Sequence, residues 1–304
     1  MQSSASITVA RKLGSDFQTF FCVSPDATIS PLMPSPPSHC VIIPSYNSGR
    51  LLAPTLASVL AAGVPVFLVI DGSTDQSERC VEGFLGHKTP LNVLRLAENR
   101  GKGAAVLEAL GAASGAGFSH ALVFDSDGQH EPRDIPAMLS LSLGHPEAMI
   151  LGVPRFGPDA PLIRVLGRRI ANWWTNLETL WGGIQDSLFG LRVYPVAESI
   201  KVLHSISGGR RFDFETQLCV RLYWSGVPAL NYSSKVLYPA KAAGGISHFN
   251  YWRDNLLLIR THSHLLIKAI FTLPMLWRLR RKNRSYRQYS VSLALEVCHR
   301  TECE

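Results

Sequence analysis

The chain has 304 residues, of which 46% are hydrophobic and 17% are charged, and its formal net charge is +7. This length allows one large domain, or two small ones, with a substantial hydrophobic core. A moderate positive charge suits nucleic acid, anionic lipid or plain solvation. Because no RNA-recognition motif and no basic ribbon with interleaved aromatic residues occurs, we expect no nucleic-acid partner. The six cysteines are scattered without a Cys-x-x-Cys pair, which favours a reduced, cytoplasmic compartment.

The two ends of the chain differ in composition from its middle. Residues 1–37 are rich in Ser, Thr and Pro, and we predict a disordered segment there. We expect no signal peptide, because no apolar stretch follows a basic start. We also expect no transmembrane helix, because no run of about eighteen apolar residues occurs. The folded domain is predicted at 38–255, and an apolar and basic helical segment at 256–304.

Short apolar strands alternate with helical segments in the first half of the folded domain. The predicted strands are 40–43, 66–70, 91–96 and 121–124, and the predicted helices are 51–62, 74–85 and 103–113. This pattern indicates an α/β fold with a mostly parallel central sheet and helices on both faces. The second half is less regular, with helices predicted at 163–181, 214–224 and 255–279, the last broken at Pro274, and a strand at 228–238. In such folds the ligand binds beyond the carboxyl ends of the strands.

The most informative motif, Asp125-Ser126-Asp127, follows the fourth predicted strand. Two unpaired carboxylates cannot both lie in a dry core, because the cost of burying them is too high. On an extended segment, residues two apart point to the same side, so both carboxylates can face one ligand. Their oxygens suit Mg²⁺ or Mn²⁺, which in turn bind diphosphates. The alternative interpretation is a solvated turn.

Three further polar segments lie at strand ends or at a helix start. Pro44-Ser45-Tyr46-Asn47 ends the first strand, where the Tyr46 ring could stack on a base. Asp71 ends the second strand and could accept hydrogen bonds from a base or ribose, or cap the following turn. Lys102 lies between two glycines at a helix start, where an anion is favoured, although a solvated lysine fits equally well.

Together with Asp125-Ser126-Asp127-Gly128-Gln129-His130, these segments resemble motifs of the family-2 glycosyltransferases, which have the GT-A fold. The resemblance covers about residues 40–249, and the most similar branch contains the dolichyl-phosphate and polyprenyl-phosphate sugar transferases. It implies an inverting, metal-assisted transferase that moves a sugar from a nucleoside-diphosphate sugar to a lipid-phosphate, glycolipid or hydroxyl acceptor. One departure is Ile70, which stands where the family usually has the first of two consecutive acids.

The resemblance also assigns roles to individual residues. The implied metal ligands, for Mg²⁺ or Mn²⁺, are Asp125, Asp127 and Gln129. The implied nucleotide-binding residues are Pro44, Tyr46, Asn47, Asp71, Lys102 and Asp125. The implied acceptor or phosphate ligands are Arg155, Arg169 and His248. The implied catalytic residues are Glu215, Arg155 and Asp127.

For four further residues, the sequence leaves two alternative roles open. Glu215 begins a predicted helix and would be the general base for a hydroxyl acceptor, or it is a carboxylate that favours the helix start. A lipid phosphate would need no base. Asp186 and Arg192 are expected either to pair with each other or to contact substrate. His130 is expected to be a hydrogen-bonded loop histidine rather than a neighbour of the metal ligands.

The C-terminal segment suggests a membrane contact. Apolar residues up to Trp277 are followed by a basic cluster of Arg278, Arg280, Arg281, Lys282, Arg284 and Arg287. This composition is typical of a helix that lies on an anionic membrane, here at its inner face, but also of a core helix with a solvated tail. Two other functions stay open: a nucleotidyltransferase, which usually has a Gly-rich loop after the first strand, and a non-catalytic sugar-nucleotide-binding protein.

Overall fold

A computed structural model describes residues 38–86, 89–157, 162–206, 213–237 and 251–288. The segment 1–37, for which the composition predicts disorder, lies outside the described residues, and so does His248. All elements below belong to the unit that begins at Pro36.

Seven strands form one mixed sheet. In chain order they are β1 (His39–Ser45), β2 (Val66–Asp71), β3 (Leu91–Leu96), β4 (His120–Val123), β5 (Met149–Arg155), β6 (Arg192–Pro195) and β7 (Ala229–Lys235). Their order across the sheet is β3-β2-β1-β4-β6-β5-β7. All neighbours are parallel except β6, which runs antiparallel to both β4 and β5. The predicted α/β fold with a mostly parallel sheet is therefore confirmed.

Helices cover both faces of this sheet. They are α1 (Leu52–Leu60), α2 (Lys102–Gly115), α3 (Asp134–Gly144), α4 (Leu162–Glu178), α5 (Val196–His204), α6 (Phe214–Trp224), α7 (Tyr251–Phe271) and α8 (Leu273–Lys282). Alternate residues of β1 join opposite cores: Cys40 and Ile42 pack beneath α2 and α6, whereas Val41 and Ile43 pack beneath α1 and α3. Each fully buried side chain of this size contributes roughly 1.5–3 kcal/mol.

One predicted helix is wrong. The segment 74–85 contains a 3₁₀-helix, Ser77–Phe84, instead of an α-helix. The Asp75 carboxylate accepts hydrogen bonds from the amides of Ser77 and Gly49, and Gln76 adopts a left-handed conformation with φ of 61°. These contacts fix a turn in which an α-helix cannot start.

Four elements were not predicted from the sequence patterns, and two helix ends differ. The four elements are β5, β6, α3 and α5. Helix α4 ends at Glu178 because Leu180 and Trp181 both have positive φ. The C-terminal helix breaks at Thr272, before Pro274, and bends by 88° there. The break precedes the proline because proline fits the first turn of a new helix.

The two C-terminal helices pack on the domain. Leu265, Ala269 and Leu276 are fully buried and belong to the same core as β1 and β4. In the described residues, no single helix is long and apolar enough to cross a membrane. The bent pair α7–α8 meets the requirement by combined length and composition only.

Candidate active site

The loops after β1 and β4 meet at the carboxyl edge of the sheet. A chain of serine hydroxyls joins them: Ser45 Oγ lies 2.8 Å from Ser48 Oγ, which lies 2.7 Å from Ser126 Oγ. Ser126 Oγ also donates a hydrogen bond to the carbonyl oxygen of Pro44. These contacts place the residue between the two aspartates of the acidic motif directly against the loop after the first strand.

Asn47 and Tyr46 shape the rim of this edge. The Asn47 side-chain oxygen accepts a hydrogen bond of 2.8 Å from the backbone amide of Thr74. The backbone amide of Asn47 donates a hydrogen bond to Ser73 Oγ. This locks the loop after β1 against the loop after β2. The Tyr46 side chain beside it is 37% exposed, so its ring is accessible at the rim. Stacking of this ring on a base stays a prediction.

Asp71 holds the segment that leads into α2. One carboxylate oxygen accepts a hydrogen bond from the Arg100 amide at 2.8 Å, and the other accepts one from the Gly101 amide at 2.9 Å. Gly72 has φ of 61°, and a Cβ on it would lie 2.7 Å from Glu98 Cα. The loop before Lys102 is therefore packed closely against the end of β2. Base recognition by Asp71 stays a prediction.

Lys102 connects two carboxylates. Its Nζ lies 2.6 Å from Asp125 Oδ1 and also contacts Oε1 of Glu215, which is buried at the start of α6. Burial opposes the charge of the lysine, but Asp125 and Glu215 outweigh this effect and raise the Lys102 pKa above its ordinary value. Burial also opposes the charge of Asp125 and by itself would raise its pKa. Lys102 and His130 outweigh this effect and lower the Asp125 pKa well below its usual range. Both charges of this ion pair are therefore present at neutral pH.

The acidic motif lies in a turn. Strand β4 ends at Val123, Gly128 has φ of 73°, and the Gln129 amide donates a hydrogen bond to Asp127 Oδ1. The expectation of an extended segment was therefore wrong, because this local hydrogen bond closes a turn after the strand. Burial and the charge of Asp125 raise the Asp127 pKa, so the two carboxylates act on each other. Within the described residues, no three His, Cys, Asp or Glu side chains are grouped as metal ligands.

His130 has a different environment from the one expected. It is 3% exposed, and its ring packs edge-on against Phe124 and Phe189. Its Nε2 lies 3.3 Å from Asp125 Oδ2. His130 does lie in a loop, but Phe124 and Phe189 direct its ring toward Asp125, which favours the alternative of a neighbour of the predicted metal ligands.

The residues predicted for the acceptor lie beyond β5. Arg155 is exposed at the end of that strand, and Arg169 is exposed on α4. On the same helix, Arg168 donates a hydrogen bond of 2.7 Å to the buried Asp186 carboxylate, which Asn172 also contacts. Contacts of Arg155 and Arg169 with an acceptor stay predictions.

Of the two interpretations of Asp186 and Arg192, the structural pairing is present as a hydrogen bond to the Asp186 carbonyl oxygen and not as an ion pair of the two side chains. The fully buried guanidinium of Arg192 donates to the carbonyl oxygens of Phe189, Glu215 and Asp186, and to the Tyr194 hydroxyl. Arg168 has already satisfied the Asp186 carboxylate. Arg192 thus ties the 186–190 segment to the start of α6, which carries Glu215. An arginine beside the apolar residues Val193 and Tyr194 is a sequence signal that could have indicated this role, but β6 was not predicted.

The mixed sheet with helices on both faces is a fold of the GT-A type, and comparison with known proteins agrees. The sequence profile of "Glycosyl transferase family 2" matches residues 40–193. This match spans half of the chain, and the chain therefore belongs to glycosyl transferase family 2.

Two relatives are archaeal. The glycosyltransferase AglJ of Haloferax volcanii is 28% identical over 64% of this chain and 61% of its own length. The UDP-N-acetylglucosamine–dolichyl-phosphate N-acetylglucosaminyltransferase of Methanococcus voltae is 24% identical over 57% of this chain and 75% of its own length. These relatives agree with the predicted branch of the family.

Among solved structures, glucosyl-3-phosphoglycerate synthase from Mycobacterium tuberculosis has a similar fold. In its complex with Mn²⁺, UDP-glucose and phosphoglyceric acid, it superimposes with a TM-score of 0.51 at 15% identity. The match covers 77% of this chain and 79% of that chain. At this identity the likeness concerns the fold.

Proposed function

We propose that the chain is an inverting, metal-assisted glycosyltransferase that uses a nucleoside-diphosphate sugar. The observation that carries the proposal is the pair Asp125 and Asp127 at the carboxyl edge of the parallel strands. In the described residues, the three carboxylates of Asp125, Asp127 and Glu215 act around the Lys102 ammonium, and His130 lies beside Asp125. Carboxylates outnumber ammonium groups in this described part of the site, which favours a divalent cation.

Asp125, Asp127 and Gln129 would hold Mg²⁺ or Mn²⁺, since all three offer the oxygen ligands that these cations prefer. When bound, the cation would offset the negative charge of the departing nucleoside diphosphate. The accessible Tyr46 ring supports base stacking at the rim, with Pro44 and Asn47 shaping the loop and Asp71 at the adjacent strand end. The Mn²⁺ and UDP-glucose in the mycobacterial structure support a donor of this class.

The acceptor is proposed to attack the anomeric carbon from the face opposite to the leaving group. A new bond forms between that carbon and an acceptor oxygen, and the bond to the donor phosphate breaks, so the configuration is inverted. A lipid phosphate is already an anion and needs no base, whereas a hydroxyl would transfer its proton to Glu215. The dolichyl-phosphate named for the Methanococcus relative supports a lipid phosphate, and the exposed Arg155 and Arg169 suit its charge.

We also propose peripheral contact with a membrane. Helices α4 and α7 pack against each other, and both expose apolar side chains on the side that faces away from the core. These side chains are Leu162, Ile163, Leu166, Ile170 and Trp173 on α4 and Leu256, Ile259, Ile267, Ile270 and Phe271 on α7. Helix α8 adds the exposed Trp277, with Arg281 over its ring, and further basic residues. Apolar and basic side chains together suit an anionic lipid surface.

The test is a transfer assay with nucleoside-diphosphate sugars, Mn²⁺, and polyprenyl phosphate in anionic vesicles. We expect sugar transfer to the lipid phosphate, and sedimentation of the protein with anionic but not with neutral vesicles. Transfer to a soluble hydroxyl acceptor alone would contradict the lipid-phosphate proposal. Donor binding without any turnover would favour the alternative of a non-catalytic sugar-nucleotide-binding protein.

A further inference from the structure

Lys102 lies between two parts of the chain that are far apart in sequence. Asp125 follows β4 in the half of the sheet that is proposed to bind the donor, and Glu215 begins α6 in the other half. The Lys102 ammonium contacts both carboxylates, at 2.6 Å in the case of Asp125. In the described residues it is therefore an ionic connection between the two halves of the site.

Gly190 supplies the space for this connection. It is buried, and a Cβ at this position would lie 2.7 Å from Lys102 Nζ and would also collide with Asp125 Oδ2. Any side chain here would push the ammonium away from the Asp125 carboxylate. The close contact thus depends on a third segment, which comes from neither α2 nor β4.

Arg192 fixes this third segment relative to Glu215. Its Nε donates a hydrogen bond of 2.6 Å to the carbonyl oxygen of Phe189, next to Gly190, and its Nη1 donates one of 3.1 Å to the carbonyl oxygen of Glu215. Because the guanidinium is fully buried, it holds both partners in place. Gly190 and Glu215 therefore keep fixed positions around Lys102.

We propose that Lys102 is a positioning residue with two effects: it holds Glu215 near Asp125, and it competes with the divalent cation for the Asp125 carboxylate. The inference rests on the proposed function, because it assigns the cation to Asp125 and Asp127. A positive charge that already contacts a metal ligand reduces the gain from binding a second positive charge there. The same ammonium offsets the repulsion that would otherwise separate the Asp125 and Glu215 carboxylates.

The central test compares Lys102→Met with the wild-type protein in two measurements. The first is Mn²⁺ affinity without donor, measured by electron paramagnetic resonance of free Mn²⁺. The second is the kinetics of sugar transfer. We expect Mn²⁺ to bind about tenfold more tightly, because the competing charge is gone. With a hydroxyl acceptor, for which Glu215 would be the base, we also expect kcat to fall by about 100-fold, because Glu215 is no longer held, with a smaller change in the donor KM. A purely structural role would weaken metal binding and lower kcat together.

Two variants serve as comparisons. Lys102→Arg keeps the charge, so Mn²⁺ affinity is expected to stay within about twofold of wild type, with kcat between those of wild type and Lys102→Met. Glu108→Gln, on the same helix as Lys102, removes an exposed ion pair with Arg100 and should change neither quantity. In a Glu215→Gln background, Lys102→Met should lower kcat far less than it does in the wild-type protein, because the two residues act as a unit.

Gly190→Ala covers the case in which Lys102→Met does not fold. It keeps all charges and places a methyl group against both Lys102 Nζ and Asp125 Oδ2, so it should separate the two groups and lower kcat with a hydroxyl acceptor. Unchanged or weaker Mn²⁺ binding in Lys102→Met with wild-type folding, or an unchanged kcat in Gly190→Ala, overturns the inference. If the wild-type protein transfers no sugar, the proposed function fails, and the Mn²⁺ affinities then decide on the competition by Lys102.

Discussion

The sheet has two halves that hold their polar residues in different ways. In the half that is proposed to bind the donor, which we call the donor half and which comprises β3, β2, β1 and β4, side chains such as Asp71 and Asn47 accept hydrogen bonds from backbone amides of neighbouring loops. In the other half, which we call the acceptor half and which comprises β6, β5 and β7 with α4 and α6, buried or partly buried charged side chains bond to each other or to carbonyl oxygens, as Arg168 and Arg192 do. Side chain to backbone hydrogen bonds therefore join the loops of the donor half, whereas charged side chains join the segments of the acceptor half.

The largest effect is expected at the boundary between the two halves, from Asp127→Asn. This change removes one charged ligand from the proposed cation site, so kcat should fall by about 10³-fold, equivalent to about 4 kcal/mol. The fold should be retained, because in the part of the chain that the structure describes the hydrogen bond of this carboxylate is a local turn contact with the Gln129 amide. Steady-state kinetics and thermal unfolding check both statements. Glu98→Gln, an exposed acid in the donor half, is the control and should stay fully active.

Arg192→Met tests the interior of the acceptor half. Loss of the guanidinium leaves the carbonyl oxygens of Phe189 and Glu215 without their donor, so the free energy of unfolding should fall by about 3 kcal/mol. Urea denaturation measures this change. The exposed Arg169→Met on α4 is the matched control, with an expected change below about 0.5 kcal/mol. Equal stabilities of the two variants would contradict the role given to Arg192.

A pH titration tests the opposite, amino edge of the donor half. There the His39 and His120 rings stack at 4.8 Å, and burial followed by the charge of His120 lowers the His39 pKa from 6.5 to about 4. Between these values the unfolded chain binds a proton that the folded chain does not. The free energy of unfolding should therefore decrease as pH falls, by about 2 kcal/mol between pH 6.5 and pH 5.

Denaturation at several pH values checks this dependence. In His39→Gln, which keeps a polar group near Ser142, the slope over this pH range should be smaller. An unchanged slope would show that His39 does not carry the effect.

Asp71→Asn should give the smallest effect. The side-chain amide of the asparagine keeps one acceptor oxygen, but its NH₂ group faces one of the two backbone N–H donors, that of Arg100 or that of Gly101. We expect a loss of about 1 kcal/mol in the free energy of unfolding, confined to the loop before α2. Hydrogen exchange should show faster exchange in that loop and no change around Asp186. Faster exchange in the acceptor half would show that the two halves are not independent.

The same difference explains what the sequence could and could not predict. In the donor half, Asp71 and Asp125 directly follow apolar runs, so their positions at strand ends could be predicted from the pattern. The turn at Asp127 was only the alternative interpretation, and the 3₁₀-helix after Asp75 was missed, because side chain to backbone hydrogen bonds decide both.

In the acceptor half, the contacts depend on how distant segments pack. The antiparallel strand β6 places Gly190 beside Asp125 and brings Arg192 to the start of α6. No local pattern in the sequence encodes such a strand order. For the same reason, the contact between Lys102 and Glu215 was not predicted, although both residues were candidates for the site.

The most direct test of the whole account is calorimetric titration of nucleoside diphosphates into the wild-type protein and Asp127→Asn, with and without Mn²⁺. We expect one nucleotide to bind the wild-type protein tightly with Mn²⁺ and at least about tenfold more weakly without it. In Asp127→Asn, Mn²⁺ should give no such increase. Equal affinity with and without Mn²⁺ in the wild-type protein would contradict a cation held by Asp125 and Asp127 that binds the donor diphosphate.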